Sequence, residues 1–133
     1  MKTFKPLAIL ALLVSFFLLS GWHKPEKSSE TTVQEHVIVL LKFKAQPDKG
    51  AMAVSELMKL LEKVKQEPHF VSIRMHIDPN DNTNIMLYEE WEDLQYYNTT
   101  HMETEHLKAF QVNSRNFLTG PPDISFWKVE KVF

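Results

Sequence analysis

Residues 69–91 read HFVSIRMHIDPNDNTNIMLYEEW, and this stretch predicts two neighbouring strands of a β-sheet. Residues 69–77 alternate in the manner of a strand, with Val71, Ile73, Met75 and Ile77 on one side and Phe70, Ser72, Arg74 and His76 on the other. Residues 78–82 form a turn by composition, because Asn and Asp side chains bond to their own backbone and Pro fixes φ. Residues 84–91 (NIMLYEEW) then predict the strand that returns.

The segments on either side of this pair predict the remaining elements. Residues 35–45 are rich in β-branched residues and end at a Gln-Pro-Asp turn, which favours a strand. Residues 48–65 place apolar side chains at three- and four-residue steps, which is typical of an amphipathic helix. Further along, residues 93–98 and 102–118 predict helices, and residues 124–132 predict a last strand. The order β-α-β-β-α-β is that of the ferredoxin-like α+β fold.

Both faces of the predicted sheet are apolar. On the first strand, Ile38 and Leu40 point to one side, and Val39 and Leu41 point to the other. The helices can cover only one face, and a second copy of the sheet is the natural cover for the other. We therefore expect a homodimer that forms through the sheet faces.

The composition of the 133-residue chain excludes several classes of function. A formal net charge of −2 gives no electrostatic reason to expect nucleic acid as a partner. The three glycines, at positions 21, 50 and 120, cannot form a glycine-rich nucleotide-binding loop. The absence of cysteine from the sequence excludes disulfides, thiolate nucleophiles, iron–sulfur clusters and the anchor of a lipoprotein.

The amino-terminal sequence has the layout of a secretory signal peptide. Residues 7–19 form an uncharged run between two lysines and a pair of small residues. We assign residues 1–21 to the signal peptide, with an uncleaved membrane anchor as the alternative, residues 22–34 to a flexible linker, and residues 35–133 to the folded domain. We expect the protein to be exported, periplasmic or secreted, with no stable membrane association once the leader is cleaved.

Several segments resemble the antibiotic biosynthesis monooxygenase domain family. They are residues 88–93 (YEEWED), residues 101–110 (HMETEHLKAF), the Glu67-Pro68 pair, residues 78–81 (DPND) and residues 118–121 (LTGP). The resemblance runs from about residue 36 to residue 132. It implies a dimeric α/β barrel of ferredoxin-like subunits, in agreement with the architecture inferred from the residues. The family includes quinol and polyketide monooxygenases, haem degraders, an isomerase of a phosphorylated autoinducer and members without known activity.

The chain departs from the family pattern at three places. Pro68 is followed by His69 where the family usually has Gly. The spacing from Trp91 to His101 is ten residues, one longer than is common in the family. The haem-degrading branch has Asn on the first strand, Trp at the position of His101 and His at the position of Gln111, and this chain has none of the three. The resemblance therefore argues against haem degradation.

For this chain the resemblance implies a monooxygenase without a cofactor that acts on a small phenolic or quinol-like substrate and dioxygen. Such a reaction needs a base that makes the substrate anionic in a dry pocket. His101 is the candidate catalytic base, because a neutral imidazole titrates near working pH. A role in satisfying the start of the last helix explains this histidine equally well. No metal site is predicted, since His106 follows at five residues and the HExxH spacing is absent from the sequence.

The candidate substrate-binding residues are aromatic or polar. Trp91, Tyr97 and Phe110 would shape the pocket, although core packing accounts for them as well. His106 and Glu90 are the other polar candidates, and the strand register decides which group reaches the pocket.

Two other functions remain open. The first is a non-catalytic module that uses the same pocket to bind a small ligand or acts in a stress response. An absence of polar groups inside the pocket would favour this function. The segment 119–121 is similar to the ending of an isomerase of a small metabolite. That chemistry uses phosphorylated substrates made in the cytoplasm, so the expected export argues against it.

Overall fold

The structure is a computed structural model, and it describes residues 36–133. Its elements are β1 (Val37–Lys44), α1 (Gly50–Val64), β2 (Phe70–Ile77), β3 (Asn84–Trp91), α2 (Leu94–Asn98), a 3₁₀ turn (His101–Glu103), α3 (Glu105–Ser114) and β4 (Asp123–Lys128). The four strands form one antiparallel sheet in the order β2-β3-β1-β4. The predicted ferredoxin-like α+β fold is confirmed.

The predicted signal peptide and linker, residues 1–21 and 22–34, lie outside the described residues. Within residues 36–133, no helix is both long enough and apolar enough to cross a bilayer. Every residue that the sequence analysis proposes for the site lies in the described part of the chain.

The core lies between one face of the sheet and helix α1. Strand β1 is central, so Leu41 pairs with Leu87 on one side and with Ile124 on the other. The buried residues of α1 that join this core are Ala53, Leu57, Leu60 and Val64. Their spacing of three or four residues puts them on one face of the helix. Burial of a side chain such as Leu57, which is fully buried, stabilises the fold by about 1.5–3 kcal/mol.

Helix α1 begins against the turn that joins β2 to β3. Gly50 is buried there, and a Cβ atom at this position would lie 2.5 Å from the backbone oxygen of Asn82. The turn is itself fixed by Asp81, which accepts hydrogen bonds from the Lys44 ammonium at 2.7 Å and from the Thr83 amide at 3.0 Å. The bond from Lys44, followed by those from Thr83, lowers the pKa of Asp81 to about 2. The start of α1 therefore depends on a close backbone approach that only glycine allows.

The structure corrects the predicted faces at the start of β2. A bulge between Phe70 and Ser72 interrupts the pairing with β3. Because of it, Phe70 packs edge-on against Trp91 in the core, with ring centroids 5.8 Å apart. Strict alternation places Phe70 with Arg74 on the opposite face, and this prediction is wrong. The extra residue of a bulge reverses the side to which the residues before it point.

Two predicted boundaries also differ from the structure. Strand β4 ends at Lys128 rather than at residue 132, because Lys128 pairs with Val37, where β1 begins. The helix predicted over residues 102–118 is divided into the 3₁₀ turn, α3 and a turn that follows it. Thr104 separates the first two with an extended backbone at φ −62° and ψ 144°.

We expect Gly50→Ala to lower the free energy of unfolding by about 1–3 kcal/mol, because the added methyl group meets backbone rather than a movable side chain. Gly120→Ala is the matched control, since no atom lies within 4 Å of a Cβ built at that position. The control should lose less than about 0.5 kcal/mol. Urea denaturation followed by circular dichroism measures both variants. Equal stability of the two variants would contradict the role given to Gly50.

Candidate active site

A cavity of about 670 Å³ lies between the helices and the sheet. Most of its lining is apolar and includes Leu41, Leu60, Leu87, Leu107, Phe110 and Ile124. Three buried residues with ionisable side chains also line it, namely Glu89, Tyr97 and His101. A concave apolar space with a few convergent polar groups is typical of a small-molecule site.

Glu67 holds the imidazole of His101. The Nδ1 atom of His101 lies 2.9 and 3.1 Å from the two carboxylate oxygens of Glu67. A carboxylate accepts hydrogen bonds, so Nδ1 carries the hydrogen and Nε2 of the neutral ring holds the free electron pair. Among residues 36–133, every fully buried side-chain nitrogen or oxygen has a hydrogen-bond partner. The Nε2 atom of His101 has no such partner, so it is not fully buried. Since His101 lines the cavity, this atom is available to a ligand there.

Glu67 also accepts hydrogen bonds from His106 and Tyr96. The His106 Nε2 atom lies 2.5 Å from one oxygen, and the Tyr96 hydroxyl donates to the other at 3.2 Å. Burial and the neighbouring Glu67 charge raise the pKa of Tyr96, so its hydroxyl stays protonated and can donate. Both imidazoles thus face the carboxylate, and the described residues include no group of three or more His, Asp or Glu arranged to hold a metal ion.

Short local structures bring these side chains together. Glu67 lies in the turn that follows α1, where its amide bonds to the helix end. Asp93 caps α2 by accepting hydrogen bonds from two amides of the first turn, at 2.7 and 3.0 Å. The short helix and the 3₁₀ turn then bring His101 against Trp91 and Tyr97, with ring centroids 4.8 Å apart in both pairs.

Glu89 is a second carboxyl group, buried in the sheet beside the cavity. It is 4% exposed, and its partners across the strands are the apolar residues Val39 and Ile73. One carboxyl oxygen accepts a hydrogen bond from the Trp91 indole at 3.0 Å. The other has no hydrogen-bond partner among the described residues and is not fully buried, and Glu89 is one of the residues that line the cavity. Burial raises the pKa of Glu89 to about 7, with a further contribution from the Glu67 charge, so both protonation states are populated near neutral pH.

Tyr97 stacks on His101 with an angle of 25° between the ring planes. Burial is the main cause that raises the pKa of Tyr97, and the charges of Glu89 and Glu67 raise it further. Its hydroxyl therefore remains a hydrogen-bond donor. The hydroxyl has no hydrogen-bond partner among the described residues and is not fully buried, and Tyr97 lines the cavity.

The structure brings several of the sequence-predicted site residues to one place. His101, Tyr97 and Phe110 line the cavity, and His106 lies behind His101 on Glu67.

Three predicted site residues do not line the cavity, namely His106, Trp91 and Glu90. Trp91 is fully buried in the core, where it contacts His101 and donates to Glu89. Glu90 points to the opposite face of the sheet and accepts hydrogen bonds from His36 at 2.7 Å and Ser72 at 3.2 Å. The strand register is the reason, because neighbouring residues of β3 point to opposite faces.

Neither Glu67 nor Glu89 is among the site residues predicted from the sequence. Glu67 is 34 residues from His101 along the chain, so no local spacing connects the two. Glu89 does have a signal in the sequence. It shares its strand face with Leu87 and Trp91, and an acid on an otherwise apolar face is unusual enough to mark a site.

A family model described as antibiotic biosynthesis monooxygenase matches residues 36–113, more than half of the chain. Among the solved structures with a similar fold is a conserved protein from Methanosarcina mazei Go1, at 16% identity and a TM-score of 0.65, with 73% of this chain and 95% of that chain covered. A protein from Pseudomonas aeruginosa matches at 18% identity and a TM-score of 0.62, with 74% and 96% covered. An antibiotic biosynthesis monooxygenase matches at 21% identity and a TM-score of 0.60, with 73% and 99% covered. At these identities the likeness establishes the fold. No protein of curated function matches the sequence.

We expect Glu89→Gln to change how stability depends on pH. Below its ordinary pKa of 4.5, Glu89 is protonated in both the folded and the unfolded chain. As the pH rises from 4.5 to about 7, the unfolded chain releases this proton and the folded chain keeps it, so the stability of the wild type falls. Relative to Glu89→Gln, the wild type should lose roughly 3 kcal/mol across this window.

Denaturant unfolding at a series of pH values measures this difference. Glu62→Gln, at an exposed position of α1, controls for the loss of a carboxylate. Parallel stability curves for the wild type and Glu89→Gln would show that Glu89 is not the buried acid described above.

Proposed function

The chain belongs to the antibiotic biosynthesis monooxygenase family, and we propose that it is a cofactor-independent monooxygenase of a small phenolic or quinol-like substrate. One observation carries the proposal. The His101 imidazole is held at Nδ1 by the buried Glu67, its Nε2 has no hydrogen-bond partner among the described residues, and the residue lines an apolar cavity. A base in this setting suits the removal of a proton from a substrate hydroxyl.

His101 makes the bound substrate electron-rich. Its Nε2 takes the hydroxyl proton, and the Glu67 carboxylate stabilises the imidazolium that forms. The apolar walls exclude water, so the phenolate is not stabilised by hydration and transfers electrons to dioxygen more readily. The Tyr97 hydroxyl donates to negative charge that develops on oxygen.

The substrate itself supplies the electrons. One atom of dioxygen forms a bond to a ring carbon of the quinol, and the O–O bond breaks. The other oxygen atom leaves as water with the two hydrogens that the substrate loses. A quinol and one dioxygen thus give a hydroxyquinone and one water, and the reaction needs no external reductant.

The polar interior of the cavity favours this proposal over a non-catalytic binding module. A module that only encloses an apolar ligand has no need of a buried acid and an oriented imidazole. The burial of Glu89 and His101 lowers the stability of this small domain, and apolar residues at the two positions would stabilise it more. Their burial supports a reaction in which they take part.

We further propose that the protein is an exported homodimer. The outer sheet face is the side of the sheet away from α1, and its apolar residues are Ile38, Leu40, Met86, Tyr88 and Trp127. Trp127 is 58% exposed, which is unfavourable for so large an apolar side chain in a monomer. A second copy of this face supplies a matching cover. The signal-peptide pattern of residues 1–21 supports export to the periplasm or beyond.

Oxygen uptake by the purified protein with a panel of hydroquinones and naphthoquinols tests the reaction. We expect uptake above the autoxidation rate, and a loss of about 10²- to 10⁴-fold in kcat/KM for His101→Gln, which can hydrogen-bond but cannot take the proton. Glu67→Gln should lower the rate less and shift its pH profile, because the carboxylate acts through His101. His76→Gln, on the outer sheet face and away from the cavity, is the matched histidine control and should retain the wild-type rate.

No uptake above autoxidation with any quinol would refute the monooxygenase and leave the binding module. Uptake that is unchanged in His101→Gln would show that this histidine is not the base.

The homodimer has its own test. We expect the wild type to sediment as a dimer at micromolar concentration. Leu40→Glu should raise the dissociation constant at least about tenfold, because it would bury a charge in an apolar interface. Val112→Glu is the control, since Val112 is 69% exposed on α3, away from the outer sheet face. A monomeric wild type, or equal dissociation constants for the two variants, would contradict the proposed interface.

A further inference from the structure

The reaction steps proposed above assign a role to His101 and none yet to Glu89. A carboxyl group so deeply buried is costly to keep unless it has a task. One of its oxygens is occupied by the Trp91 indole at 3.0 Å. The other has no hydrogen-bond donor among the described residues and is not fully buried, and because Glu89 lines the cavity this oxygen is available to a ligand there.

The surroundings of Glu89 favour the uncharged carboxyl. Its neighbours across the strands are Val39 and Ile73, so the sheet offers it no compensating cation. The titratable groups that line the same space are Tyr97 from α2 and His101 from the 3₁₀ turn, and Glu67, from the turn after α1, lies behind His101. The negative charge of Glu67 adds to the cost of ionising Glu89. Arg115 also lines the cavity but is exposed and contributes nothing that lowers the pKa of Glu89.

We propose that Glu89 is a substrate-binding residue that donates its carboxyl proton in a hydrogen bond to a carbonyl or quinone oxygen of an uncharged aromatic ligand. The Trp91 indole donates to one carboxyl oxygen and so leaves the protonated oxygen directed at the ligand. His101 accepts from a hydroxyl and Glu89 donates to a carbonyl, so together they favour phenolic ligands that also carry a carbonyl group over simple quinols. The inference rests on the proposed function only in taking this cavity as the substrate site.

The carboxyl proton of Glu89 makes the recognition of ligands depend on pH. A protonated Glu89 rejects no neutral ligand, whereas an ionised Glu89 repels a carbonyl oxygen and any anion. Recognition of the carbonyl is therefore lost as the pH rises through the pKa of Glu89, which is about 7. The cavity then keeps its shape and loses its preference for ligands with a carbonyl group.

Acetophenone and α-methylstyrene form a matched pair of probes for this donor. They have nearly the same shape, neither ionises, and they differ in one position, where a carbonyl oxygen replaces a methylene group. Binding to the purified protein is followed by NMR, through the shift of the Trp91 indole N–H signal. We expect the wild type at about pH 5.5 to prefer acetophenone by about five- to tenfold, and to lose this preference at about pH 8.5.

Glu89→Gln is the decisive variant, because its amide keeps a donor that does not titrate. It should prefer acetophenone at both pH values, and any pH effect that persists in it belongs to His101 or another group. Glu89→Leu should show no preference at either pH.

Equal affinities for the two probes in the wild type at about pH 5.5 would refute the proposed donor. A preference that survives in Glu89→Leu would assign it to another group and also refute the inference. These probes undergo no oxygenation, so the result does not depend on the oxygen-uptake assay. Carbonyl preference without oxygen uptake would overturn the proposed reaction alone, and uptake without the preference would overturn this inference alone.

Discussion

The burial of Trp91 is the constraint on which the site depends. The indole is fully buried at the end of β3, and its ring lies 5.8 Å from Phe70 and 4.8 Å from His101 between centroids. Its N–H group donates to Glu89. Aromatic pairs of this kind contribute about 0.5–1.5 kcal/mol each beyond the area they bury. One side chain thus joins the sheet to the helical layer and fixes the positions of the base and the acid relative to each other.

Local patterns in the sequence predict most of the fold. The bounds of β3 match the prediction, and α1 lies within the predicted range of residues 48–65, because each element repeats its own period over many residues. The bulge beside Phe70 and the end of β4 at Lys128 are set by partner strands distant in the chain, which a local pattern does not contain. The site divides in the same way. His101 is predicted from its chemistry, whereas its contact with Glu67 arises only when the chain folds.

The two buried carboxyl groups of the site have different surroundings. Glu67 is surrounded by donors from His101, His106 and Tyr96, which suits a carboxylate that orients and stabilises other groups. Glu89 has one donor and apolar neighbours, which suits an acid that keeps its proton. Two acids held in contrasting environments can take opposite roles in one cavity at one pH.

The hydrogen bond from Trp91 to Glu89 also gives the protein an intrinsic optical reporter. Indole emission depends on how freely the surroundings reorient around the excited ring, so the buried Trp91 should emit at shorter wavelength than Trp127, which is 58% exposed. Ionisation of the bonded carboxyl places a full negative charge beside the excited dipole and changes that emission. The protonation of the acid within the cavity can therefore be followed by fluorescence in the unlabelled protein, without a substrate and without turnover.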